Sequence, residues 1–194
     1  MGDADRATRS KDGRDWLMGG RSEVMWITEA TVTDVTITSA IPPVFADYAT
    51  LVLPAGGGDD EVCEHDQAVV TLLDSHAETK SWWLGYLDTG GSDLVFSTAP
   101  KVRLYSDWWY VMVKAGPDQA ATWRADVWKG TVLPDVIFPE DRRWLFSTLW
   151  DDDWSCVGGP TELVDGLLAD PVLGARARRV TVEQDATPPG HVAW

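Results

Sequence analysis

The stretch 81–115, SWWLGYLDTGGSDLVFSTAPKVRLYSDWWYVMVKA, decides the fold. Runs of apolar, β-branched and aromatic residues at 82–87, 93–96, 101–105 and 108–114 read as four short strands. Between them lie Thr89-Gly90-Gly91, Thr98-Ala99-Pro100 and Ser106-Asp107, all turn chemistry. Such short connections predict antiparallel neighbours. Two tryptophan doublets, Trp82-Trp83 and Trp108-Trp109, sit in these strands. A doublet in a strand sends one indole to each face of the sheet. Either both faces are covered, or large aromatics reach the surface, where tryptophan anchors interfaces.

Outward from that stretch, helices alternate with further strands. Residues 61–76 carry Val62, Asp66, Val69, Val70 and Leu73 at spacings of three and four, which predicts a helix capped by Asp59 or Asp60. Pro160 and Glu162 open a second helix over 160–169, with Leu163, Val164, Leu167 and Leu168 on its apolar face. Pro42-Pro43 suits the first turn of a third helix over 42–52, with Val44, Phe45, Tyr48 and Leu51 inward. A short helix is expected after Gly116-Pro117, and strands at 143–150, 155–157 and 178–182. The threonine-rich segment 28–40 fits strand or helix opening. No internal repeat is present. The expected fold is one α+β domain over 25–186: a mainly antiparallel sheet of five to seven short strands with about three helices on it.

The ends read differently. Residues 1–24 hold five bases and five acids, are polar and lack periodicity, so they are expected to be a disordered tail or an upstream extension from a mis-assigned start. Residues 187–194, opening with Thr187-Pro188-Pro189-Gly190, are expected to be a loose tail.

Charge narrows the partners. The chain of 194 residues has 16 Lys+Arg against 31 Asp+Glu, a net charge of −15. All of it lies beyond residue 24, where 31 − 5 = 26 acids face 16 − 5 = 11 bases. Such a surface repels phosphate backbones and anionic membranes. It leaves room for a basic protein partner, while solubility alone also explains the acidity. No apolar run approaches the ~18–20 residues of a membrane span, and the start lacks a signal-like stretch. Two cysteines, Cys63 and Cys156, fit a cytoplasmic protein.

Catalytic and metal chemistry finds little support. Cys63, Glu64, His65 and Asp66 are neighbours in sequence, but a helix splits them between faces. Three histidines and two cysteines match no zinc spacing, and no metal or cofactor is expected. Gly56-Gly57-Gly58 lacks the lysine of a phosphate loop, and Gly158-Gly159-Pro160 reads as a helix-entry turn. The candidate interface is Trp150-Asp151-Asp152-Asp153-Trp154, where charge and aromatic surface meet on one turn. The rival reading is a hydrolase-like enzyme assembled from distant residues such as Cys156, His76 and Asp88.

The segment WLFSTLWDDDWSCVGGPTELVDGLLADP, residues 144–171, resembles a segment of a group of small acidic actinobacterial proteins to which no activity is attached. IPPVFADYATLVLP and WWLGYLDTG resemble the same group. In layout the chain is also similar to SUKH-type immunity proteins, acidic α+β proteins that bind and neutralise toxins. Ile41-Pro42-Pro43-Val44-Phe45-Ala46-Asp47-Tyr48 stands at the place of that family's proline-led helix, and its asparagine-glycine segment has no good counterpart. The resemblance implies a non-catalytic protein binder of immunity type.

Overall fold

The apolar runs at 82–87 and 108–115 form neighbouring strands of one antiparallel sheet. The computed structural model describes residues 7–9, 15–54, 58–89, 99–105, 108–124, 133–149 and 152–192. In chain order the elements are β1 (Ala7–Arg9), β2 (Asp15–Met18), α1 (Arg21–Thr28), β3 (Asp47–Val52), α2 (Asp59–Ser75), β4 (Trp82–Leu87), β5 (Lys101–Leu104), β6 (Trp108–Ala115), α3 (Pro117–Thr122), β7 (Val136–Pro139), β8 (Leu145–Ser147), β9 (Trp154–Gly159), α4 (Thr161–Ala169) and β10 (Ala177–Val180). Among the described residues, nine strands follow the order β1-β2-β6-β4-β7-β8-β9-β3-β10, and a tenth, β5, shares one edge of β6 with β2. The fold is α+β, with more strands than the five to seven expected. The expected strand at 93–96 lies outside the described residues.

Both faces of the sheet are covered, so β4 is buried at every position. Trp82 enters the face under α2, α3 and α4, and meets Trp144 edge to face with centroids 5.0 Å apart. Trp83 enters the opposite face, covered by α1 and by residues around Ile37 and Ile41. The first doublet therefore divides between two cores. Gly85 in the same strand leaves room for neighbours: a Cβ there would stand 2.7 Å from Met112 Sδ and 3.0 Å from Val136 Cβ. Helix α2 turns His65, Asp66, Val69, Val70 and Leu73 inward, and its first turn carries Asp59, Asp60 and Glu61, which favour the positive end of the helix dipole.

Four expectations change. Residues 42–52 do not form a helix. Their second half is β3, inserted between β9 and β10 with Tyr48, Ala49, Thr50 and Leu51 all buried. The spacing of Phe45, Tyr48 and Leu51 mimics a helical face, but a central strand covered on both sides is apolar throughout and loses its period of two. Phe45 is tied back by its N–H, which donates to Tyr48 Oη at 2.9 Å. Second, part of the 1–24 segment joins the fold. Leu17 and Met18 pair with Lys114 and Val113, Met18 is fully buried, and Met25 lies inside α1. Third, Gly158 and Gly159 are the last two residues of β9, paired with Tyr48 and Asp47, before Pro160 opens α4. The carboxyl end also returns to the sheet: Pro188 is buried, and His191 Nδ1 lies 2.6 Å from Asp153 Oδ1. Among the described residues, no helix is long and apolar enough to cross a membrane.

Candidate protein-binding surface

Strand directions decide which residues share an end of the sheet. Each neighbouring pair is antiparallel, so β6, β7 and β9 run one way and β4, β8 and β3 the other. The start of β6, the start of β9 and the exit of β3 therefore lie at one end. That end carries Trp108-Trp109, Asp88 after β4, Asp135 before β7, and Asp152-Asp153 before β9. The chain leaving β3 there leads within six residues to the acids that open α2. Four strand spacings separate β6 from β9, roughly 19 Å at about 4.8 Å each. A patch of that width fits within one side of a standard interface of about 800 Å².

The second doublet behaves unlike the first. Trp108 and Trp109 are each 44% exposed. They precede the part of β6 that β4 covers, and the Asp88 N–H reaches back, donating to the Trp109 carbonyl at 2.8 Å. Trp108 is opposite Leu104 in β5, and Trp109 is opposite Arg103. The Arg103 guanidinium lies 4.6 Å from the Trp109 ring centroid, which holds that indole by a cation–π contact. The neighbouring Lys101 pairs with Asp88. Local positive charge on β5 is thus engaged within the molecule.

The expected interface residues fall in different surroundings. Trp150 and Asp151 lie outside the described residues. Asp152 is half-buried, and its N–H donates to Leu149. Asp153 is exposed; its carbonyl accepts the Leu53 N–H, and its carboxylate faces His191. Trp154 is only 3% exposed and belongs to the core with Tyr48, Leu145 and Cys156. The indole expected to sit beside the aspartates as an anchor is therefore a packing residue. Among the described residues, the exposed indoles at this sheet end are Trp108 and Trp109. The sequence signal for them is the strand-initial doublet after Ser106-Asp107, but a doublet at the start of a strand does not by itself say whether its indoles are covered.

The residues of the enzyme reading stand apart. Cys156 is buried mid-strand on β9, and burial pushes its thiol far above the usual range. Asp88 is held by Lys101 at the end of β4. His76 caps the far end of α2, its Nδ1 3.0 Å from the Leu72 carbonyl. Around Cys63, the helix places the thiol outward and buries His65 and Asp66. Burial, with the Arg176 charge nearby, lowers His65 to about 4. Among the described residues, no three His, Cys, Asp or Glu side chains group as a metal site.

Arginines at 176–179 are also engaged within the molecule. Arg179 pairs with Asp47 and Asp165, and Arg178 donates to the carbonyls of Asp185, Ala186 and Thr187. Arg176 donates to the Val172 carbonyl. Compared with known proteins, the chain matches no family model and shows no significant similarity to a curated protein or to a solved structure.

Proposed function

We propose that this is a non-catalytic acidic module that binds a basic protein through the sheet end bearing Trp108, Trp109 and Asp153. The observation that carries the reading is the shared end itself: two half-exposed indoles and an acidic tip on strand starts that point the same way. Aromatic anchors supply binding energy, and surrounding carboxylates speed the encounter with a positive surface. The net charge of −15 favours a basic protein over nucleic acid or an anionic membrane. Immunity-type neutralisation of a toxin is the specific form that the sequence resemblance adds, without the proline-led helix, since 47–52 is β3; the two free cysteines suit a cytoplasmic setting.

Binding kinetics of two variants, measured with a basic protein captured on the wild-type chain from the native host, test this. Asp153→Lys is expected to slow association and flatten its salt dependence, because rim charges act on the on-rate. Trp108→Ala is expected to raise the off-rate, with a loss of about 2 kcal/mol or roughly 30-fold in Kd. Unchanged kinetics in both would remove the reading.

A further inference from the structure

At the other end of the sheet, where β6 finishes at Ala115 and β4 begins, a cleft of about 960 Å³ opens between α2 and α3. It is independent of the proposed protein-binding end, because β6 runs its full length between them. Its volume is at the upper end of the roughly 300–1,000 Å³ common for small-molecule sites. We infer that this cleft binds a short neutral saccharide.

The lining sets the ligand class. Trp16, half-buried at β2 and held edge to face against Trp123 at 5.0 Å, supplies an aromatic wall. Val70, Ala115 and Ala121 add apolar surface beside it. Around them stand Gln67, Thr71, Asp74, Lys80, Lys114 and Asp118. The lining carries two carboxylates and two ammonium groups, and Glu140 adds a third carboxylate beside Lys114. Each ammonium is already matched, Lys80 by Asp74 and Lys114 by Glu140 at 2.7 Å. A phosphorylated or strongly anionic ligand would have to displace a carboxylate from each lysine. A wholly apolar ligand would strip water from this polar rim without replacing its hydrogen bonds. Sugar hydroxyls both donate and accept, which suits amide, hydroxyl, carboxylate and ammonium groups together. The C–H face of a pyranose suits the indole and the apolar surface.

NMR titration of the labelled full chain with maltotriose, cellotriose and N,N′,N″-triacetylchitotriose tests the inference. Carried to about 10 mM, it saturates a site with Kd of about 1 mM or tighter. The expected result is saturable shifts at Gln67, Thr71 and Lys114 with at least one of the three, weakened at least tenfold in Thr71→Arg. Thr71 is exposed on α2, so the arginine fills the cleft without entering the core. Trp16→Ala is expected to weaken binding too, and Thr71→Arg serves where that variant does not fold. No saturable shift with any of the three, or equal binding in folded Thr71→Arg, would overturn the inference. Shifts confined to Trp108 and Asp153 would overturn it as well.

Discussion

The backbone N–H of Leu53 donates to the carbonyl of Asp153 across 2.9 Å. This bond extends the β3–β9 ladder past Val52 and Trp154, its last paired residues. It fixes the acidic tip to the chain that leaves β3 for α2. Trp154 is drawn inward by the same ladder, while Asp153 remains outside against His191.

Trp154→Ala is therefore expected to damage the fold, not a contact surface. Truncating a buried tryptophan costs roughly 3–5 kcal/mol. At roughly 2–4 °C per kcal/mol for a chain of this size, the melting temperature should drop by about 6–20 °C. Trp108→Ala, at a position 44% exposed, should stay within about 2 °C of wild type. Calorimetry on the two variants separates them; equal losses would contradict this division of roles.

A chain beginning at Met25 loses β2, the buried Met18 side chain and the first half of α1. It also bares the edge of β6 at Lys114 and Val113. Losing a buried methionine alone costs about 2 kcal/mol or more. The truncated protein should melt at least about 6 °C lower, or fail to fold. An unchanged melting temperature would show that β2 contributes nothing.

His65 gives stability a pH dependence of defined sign. It is fully buried, and neither ring nitrogen has a hydrogen-bond partner among the described residues. Its folded pKa, lowered to about 4, is below the ordinary 6.5. Above pH 6.5 both folded and unfolded states hold it neutral. As pH falls from 6.5 toward 4, only the unfolded state takes up the proton, so stability is lost through that window. The loss between pH 7 and pH 5 should be roughly 2 kcal/mol. Denaturant melts of His65→Phe should lack this component. An identical pH profile in the variant would contradict it.

The two thiols should differ sharply toward a disulfide reagent. Cys63 is exposed on α2, whereas Cys156 is buried with its thiol held in the neutral form. In native protein one thiol should react promptly and the second only on unfolding. Rapid release of two equivalents would show that the β9 core opens.

Local chemistry made much of this fold readable. The strand at 82–87, the helices at 61–76 and 160–169, and the short helix after Pro117 all appear within one or two residues of where spacing and capping put them. Elements defined by distant pairing were not readable. β3 carries a helical spacing that only its burial between β9 and β10 overrides. β2 is a short apolar run, Trp16-Leu17-Met18 after Asp15, hidden in a polar segment, and its place depends on the edge of β6. Doublets 82–83 and 108–109 both read as strand tryptophans, yet the first lies between two covered faces of the sheet and the second precedes Tyr110, where the pairing of β6 with β4 begins. Asp153 was legible as an exposed acid, whereas the inward turn of Trp154 required the β3–β9 register.

The most direct measurement is paired affinity capture from the native host, read by quantitative mass spectrometry. One bait is the wild-type chain, and the other carries Trp108→Ala, Trp109→Ala and Asp153→Lys on a fold verified by its melting temperature. The account predicts at least one strongly basic protein enriched on the wild-type bait and lost from the triple variant. Partners retained equally by both baits would contradict the claim that this end of the sheet is the binding surface.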